Sequence, residues 1–590
     1  MGLLQKACET YDAHQALAGV PRAEHQTLVP ISHMIAKADL EITVDQDGAF
    51  VAARAVEKSE PKIIIPVTED SGGRTSAPCA HPLCDQLSYV APYDEKKHRL
   101  YVAQLTAWAE SDHSHPMLKP ILTYVKSGTI LNDLVRADLI TVDEQGIPEK
   151  EKLMVCWRVV GLGLSQEACW LNAELFRAFS HWCSAQQENR ESALCMISGD
   201  VTTPAKQHPK GIIPISGNAK LISSNDSAGF TFRGRFTDEE QAATIGYLAS
   251  QKAHNALRWI AAEQGAVFGG RTFLCWNPQG KPVPQITSPI LKKVASKAIN
   301  PKDYRQKLEL TLAGYKSELP EDKDGVVIAA FDAATTGRLS LTYYNELKGS
   351  DFLRRLHDWD KTCCWWNGPF GVQSPGLYQI ASCAFGTQRD EKLAVDDRVL
   401  KQQIQRLVSC RVDRAMFPHD IEQAVVRKAS NLQIYESNTR AQLLFVACAA
   451  VRKYRYDKYK EDWDMSLEPE KQDRSYQYGR LLAVLEKSER DTYSSEESRE
   501  PNAIRMQPVF SQRPQYASRI LWEQVKKAYL PRLSPASRAF YDRLMGEIVE
   551  QLSRFPETEW NRPLADTYLL GYYLQRNELY TSKQEREREE

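Results

Sequence analysis

The feature that most constrains the fold is a change of hydrophobic period near Asp396. Beyond it, apolar residues recur almost only at spacings of three and four, over 398–410, 420–429, 439–453, 474–489, 517–528, 536–553 and 565–577. Before it, strand-like runs such as "KIIIPVTED" (62–70), "KLMVCWRVVG" (152–161), "RTFLCW" (271–276), "GVVIAAFD" (325–332) and "RLSLTYY" (338–344) mix with helical ones at 100–110 and 168–187. The expected class is α+β, with a mixed N-terminal half and an all-α C-terminal half that ends in a helical bundle. One long helix has a legible start and stop. Thr237 and Glu240 form a T-x-x-E capping box, Ile245, Ala249, Ala253, Ala256 and Ile260 line one stripe, and Gly265 ends it.

The 590 residues leave room for about three to five domains, and the breaks suggest 1–205, 206–395, 396–464 and 465–590. The last boundary follows a polar, acidic stretch with Pro469, so 465–590 is expected to fold alone, with Met465 as a candidate internal start. Lys and Arg total 75 against 76 for Asp and Glu, so affinity for a polyanion must come from local patches. Thirteen cysteines without framework spacing, and no apolar run long enough for a bilayer, suggest a reduced, soluble cytoplasmic protein with no membrane partner.

Motifs for catalysis are weak. Gly217 and Lys220 lack Walker spacing, no G-x-G-x-x-G follows a strand, and Ser198-Gly199-Asp200 is not a nucleophile elbow. Cys79, His81 and Cys84 have no second pair at zinc spacing, and the Cys363–Cys364 pair beside Trp365 and Trp366 reads as packing. His357–Asp358 and His419–Asp420 leave a metal-dependent nuclease as a rival reading. No cofactor is expected.

Two basic stretches remain. From Lys206 to Arg235 there are five Lys or Arg residues against one acid, with Phe230 and Phe232 interleaved. Asn218, Lys220, Ser223, Asn225, Arg233 and Arg235 are of the types that meet phosphates and base edges, although a polar surface hairpin would look the same. "VRKYRYDKYK" (451–460) sets Arg452, Lys453 and Arg455 among three tyrosines. The loop "SGGRTSAPCAHP" (71–82) offers Arg74 and Thr75 beside two flexible glycines.

"SGNAKLISSNDSAGFTFRGRF" followed by "ATIGYLASQKAHNALRWI" resembles the hallmark of the large subunit of the type I-C CRISPR Cascade complex, the Dvulg-subtype family. "HPLCDQLSYV" (81–90) is similar to that family's aspartate–tyrosine motif, and "GRLSLTYYNEL" (337–347), "SYQYGRLLAVLEK" (475–487) and "LLGYYLQRNELYT" (569–581) follow in the family's order. The resemblance implies a non-catalytic subunit that recognises the protospacer-adjacent motif, helps unwind the duplex into an R-loop, and presents the target to a separate helicase-nuclease. Implied partners are the CRISPR RNA, double-stranded target DNA and its displaced strand, the Cascade backbone and crRNA-processing subunits, and small-subunit copies resembling residues 465–590. A scaffold without direct DNA contact is the other alternative. The resemblance also assigns motif sensing to the N-terminal domain, which makes the Arg74 loop a candidate reader.

Overall fold

Leu40–Val44 (β1) carries apolar residues at alternate positions, and it is the central strand of a three-stranded sheet. It pairs antiparallel with Phe50–Ala55 (β2), across a bulge at Thr43/Val44, and parallel with Val155–Val159 (β3). Helices Glu95–Ala109, Leu118–Ser127 and Ala173–Gln187 contribute the buried Trp108, Tyr124 and Phe179 to its core. Trp108 meets Phe179 at 4.8 Å, and Tyr124 meets Trp157 of β3 edge-on at 6.1 Å. The computed structural model describes residues 2–22, 25–74, 77–187, 190–214, 217–222, 244–291, 300–319, 325–497 and 499–581.

A second core lies around helix Tyr247–Gln264 (α2), which packs on the N-terminal helix Leu3–Ala13 (α1) and on a four-stranded sheet. That sheet runs in the order β7-β6-β5-β4, formed by Ala266–Phe268 (β4), Arg271–Trp276 (β5), Gly325–Thr335 (β6) and Arg338–Lys348 (β7). The predicted capping box at Thr237 and Glu240 lies outside the described residues. The helix begins at Tyr247 because the backbone before it is engaged elsewhere: Ala205 N–H donates to the Ile245 carbonyl at 2.8 Å, and Tyr247 N–H to that of Thr203 at 2.9 Å. Gly265 ends it as the sequence indicates.

The chain divides into two compact units, Met1–Lys281 with Gly325–Glu346, and Pro282–Asp324 with Leu347–Glu590. The stretch 206–395 therefore contributes to both, and 465–590 shares one unit with 347–464. Among the described residues beyond Asp396, every regular element is helical. Met465 is 2% exposed and its carbonyl accepts the Trp366 indole N–H at 2.7 Å, so the expected linker is packed into the unit.

In that second unit, Asp360 and Arg411 form a fully buried ion pair at 3.0 Å, and Arg411 also donates to the Ile286 carbonyl. Helix Tyr568–Tyr580 (α5) packs against both helix Ser437–Tyr459 (α3) and helix Arg474–Arg490 (α4). The family-like blocks at 475–487 and 569–581 are α4 and α5, and they cross at two glycines. A Cβ on Gly479 would sit 1.9 Å from the Tyr568 carbonyl oxygen, and one on Gly571 2.1 Å from that of Tyr476. Only glycine lets two backbones approach so closely. Below the crossing, the buried Glu486 carboxylate accepts the Tyr572 hydroxyl and pairs with Arg490 at 3.2 Å and Arg576 at 3.5 Å.

Two stability predictions follow from this packing. Alanine would gain about 1 kcal/mol of helix propensity over glycine. Because the clash is with backbone, Gly571→Ala should nevertheless lose about 1–3 kcal/mol net, read as a lower urea midpoint at unchanged slope. The second concerns Glu422, whose side chain is 3% exposed and touches His419 at 3.0 Å. Burial first, then the Asp566 charge, push its carboxyl up to about 8, against Arg455 and Lys458. A carboxyl raised this way holds a proton in the folded state that the unfolded chain has lost, so its contribution is full below about pH 4.5 and disappears as pH rises through about 8. Glu422→Gln should therefore gain thermal stability relative to the parent between pH 5 and 9, and a constant difference would contradict the assignment.

Candidate nucleic-acid interface

Two loops singled out from the sequence meet at one cleft of about 360 Å³ in the first unit. Its first wall is the short helix Glu69–Gly73, which absorbs the start of the predicted 71–82 loop. Thr68 caps it reciprocally: Ser71 N–H donates to Thr68 Oγ1 at 3.2 Å, and Thr68 N–H to Ser71 Oγ at 2.9 Å. The opposite wall is Gln207–Gly211 with Gly217, the described base of the signature stretch. The walls are joined where Gln207 N–H donates to Glu69 at 2.6 Å, and Arg190 pairs with the same carboxylate at 3.3 Å. The Gln207 side chain lies against Gly73, where a Cβ would make its amide group move aside.

The signature stretch is pinned at its base. Gly211 has φ +70°, and a Cβ would lie 2.8 Å from the Gly217 carbonyl oxygen. Lys210 bridges Lys220, Lys220 N–H donates to the Gly337 carbonyl at 3.0 Å, and Leu339 N–H to that of Lys220 at 2.9 Å. The signature stretch thus docks on the turn that opens the family-like block at 337–347. Arg258 reinforces it by donating to the Lys210 and Gly211 carbonyls at 2.7 and 3.1 Å, and burial lowers its guanidinium to about 10.

Electrostatically the cleft is unbalanced. Lys62 and Lys210 line it, Lys220 adjoins Lys210, and none of the three has an ion-pair partner among the described residues. Burial and then the Lys210 charge lower Lys220 below the ordinary lysine range, against a weaker pull from Glu69. Lys210 and Lys220 are half-buried whereas Lys62 is exposed, and a half-buried ammonium group beside a second cation is relieved by an anion. Lys62 and Lys210 were not singled out from the sequence. Lys210 lay within the basic count, whereas Lys62 merely precedes a strand.

The other sequence candidates fall into three groups. Asn218 is exposed beside the cleft. Thr75, Ser223, Asn225, Arg233 and Arg235 lie outside the described residues. Arg74, Arg452, Lys453 and Arg455 differ from the expected solvent-facing cations, because each is paired internally. Arg74 forks onto the fully buried Asp85 at 2.6 and 2.8 Å, donates to the Cys79 carbonyl, and lies over the Tyr89 ring at 4.6 Å. Burial works against its charge, and the Asp85 carboxylate raises it above the ordinary value. The aspartate–tyrosine block therefore acts as a clamp on Arg74. Arg452 is 3% exposed and held by Asp462 and the Trp463 and Lys361 carbonyls. Lys453 pairs with Asp457 at 2.8 Å, and Arg455 with Glu461 at 3.0 Å and with Asp566.

The residues of the nuclease reading are also engaged. Asp358 pairs with Arg414 at 3.1 Å, Asp420 with Arg406 at 2.5 Å, and His419 with Glu422. Among the described residues, no three His, Cys, Asp or Glu side chains gather to hold a metal. No described helix is long and apolar enough to cross a membrane, and all thirteen cysteines are free.

A chain with this α+β order can now be set beside known families. The family model for the CRISPR-associated protein Cas_Csd1 matches residues 9–580, from within α1 to the last residue of α5. The chain belongs to this family of CRISPR-associated proteins. No curated protein matches it.

The clamp yields a test that separates anchoring from base reading. Arg74→Met leaves the buried Asp85 charge unpaired and should cost about 3–5 kcal/mol in chemical denaturation. A variant of parental stability that loses discrimination among DNA sequences would instead make Arg74 a reader.

Proposed function

We propose that this chain is the large subunit of a type I-C Cascade complex and recognises the protospacer-adjacent motif of target DNA at the cleft between Glu69–Gly73 and Gln207–Gly217. Family membership supports a CRISPR role, and the observation that carries the site is the convergence of both sequence loops on a cleft lined by Lys62 and Lys210, with Lys220 adjoining, none of them ion-paired among the described residues. In an RNA-guided complex, base pairing with the guide supplies most sequence specificity. The protein needs only to hold backbones and read a short motif. Lys62, Lys210 and Lys220 suit the first task, since ammonium groups on phosphates release counterions and give affinity without regard to sequence.

On this reading the subunit is not itself a catalyst. It favours opening of the duplex and passes the target to a separate helicase-nuclease, and the CRISPR RNA and the other Cascade subunits are its partners. Purified protein should leave DNA intact in Mg²⁺ or Mn²⁺, and cleavage abolished by His357→Ala or His419→Ala would establish the nuclease alternative.

The direct test is the salt dependence of binding. Lys210→Ala with Lys220→Ala should weaken binding of the assembled complex to all targets and reduce the slope of log K against log salt by about one unit per lost phosphate contact. A folded double variant with parental affinity at every salt concentration would remove the cleft from the interface.

A further inference from the structure

A short hairpin of the first unit carries an apolar surface that the described residues leave uncovered. The stretch "SALCMISGDVT" (192–202) forms strands Ala193–Leu194 and Val201–Thr202, paired antiparallel with Leu194 opposite Val201. The Ser198-Gly199-Asp200 tripeptide lies in its turn, where Gly199 has φ +79° and its N–H donates to the Cys195 carbonyl at 2.9 Å. Val201 is 73% exposed, Met196 69% and Leu194 61%. These are three of the four most exposed large apolar side chains among the described residues, and they fall within eight positions. Apolar side chains scattered singly over a surface are ordinary, but a cluster of them marks a contact surface.

The hairpin is fastened from its other side. Cys195, between Leu194 and Met196, is fully buried, and its Sγ accepts the Gly246 N–H at 3.2 Å. Cys195 N–H donates to the Asp200 carbonyl at 2.8 Å, and Met196 N–H to that of Thr244 at 2.9 Å. These bonds hold the apolar side chains on a preformed support beside the start of α2. A surface ordered in advance loses little conformational freedom when it binds.

Charge decides what such a surface meets. Glu191 and Asp200 flank the cluster in sequence, both are exposed, and neither has an ion-pair partner among the described residues. No lysine or arginine occurs from 191 to 205. The hairpin therefore repels phosphates, which disfavours DNA and an anionic lipid surface. Two copies of the same acidic hairpin would also repel each other. A different protein, apolar where it receives the cluster and basic around it, is complementary on both counts.

We propose that this hairpin is a docking finger: Leu194, Met196 and Val201 enter an apolar pocket of another protein subunit, whose rim presents lysine or arginine to Glu191 and Asp200. This rests on the reading of the chain as one subunit of a larger complex, and it does not depend on the cleft.

The experiment measures the affinity of the purified chain for the CRISPR RNA-bearing complex assembled without it. Leu194→Ser with Val201→Ser should keep the parental urea midpoint, because both side chains already face water, and weaken association about tenfold. Glu191→Lys with Asp200→Lys should weaken it too, and association of the parent should weaken with added salt. With p-benzoylphenylalanine in place of Met196, irradiation should attach the chain to another protein subunit. Parental affinity of the serine variant overturns the proposal, as does attachment only to DNA, only to a second copy of this chain, or to nothing. If the serine variant lowers the urea midpoint, the cross-link alone decides. Should the finger fail while Lys210→Ala with Lys220→Ala still weakens DNA binding, the proposed function stands. A parental chain that does not join the complex at all would remove both.

Discussion

The carboxylate of Asp85 has no exposed surface, and the architecture of the cleft depends on how its charge is satisfied. The Arg74 fork and the backbone N–H groups of His81 and Gln86 donate to it at 2.6–2.8 Å. Four donors on two oxygens leave no lone pair free for a further partner. The Asp85 carbonyl takes the Val155 N–H at 2.9 Å, which ties the same residue to the first residue of β3. One acid therefore fastens the end of helix Glu69–Gly73, the aspartate–tyrosine block and the central sheet. Gly72 and Gly73 form a wall of the cleft because Arg74 is anchored immediately after them.

Charge pairing, rather than charge density, separates the two basic stretches. Residues 451–460 carry as many cations as the whole of 206–235, in a third of the length. Yet Arg452, Lys453 and Arg455 meet Asp462, Asp457, Glu461 and Asp566, and they bind the helical unit together. Lys62, Lys210 and Lys220 meet no carboxylate among the described residues. A cation already paired must break that contact before it can hold a phosphate, whereas an unpaired one gains by doing so.

Much of the fold was legible because hydrophobic period is a local property. The helices expected at 398–410, 420–429 and 474–489 appear as Asp397–Val412, His419–Ala429 and α4, and the strand run at 152–161 contains β3. What the sequence withheld depends on distant partners. The 451–460 patch read as a surface, but it is the end of α3, and its Asp566 partner lies 111 residues from Arg455. The start of α2 was misplaced because Thr203 and Ala205 compete for the backbone before Tyr247. At the cleft, glycine content marked both walls as loops, but only the bond from Gln207 N–H to the Glu69 carboxylate brings them together.

The central claim is that DNA lies against the cleft between Glu69–Gly73 and Gln207–Gly217. Its most direct test is photochemical cross-linking of the intact complex to target DNA, with the attached peptides mapped by mass spectrometry. The account predicts cross-linked peptides containing Lys62, Lys210 and Lys220, lost when target DNA lacks the adjacent motif. Cross-links confined to the 451–460 end of α3, with none on either wall of the cleft, would contradict it.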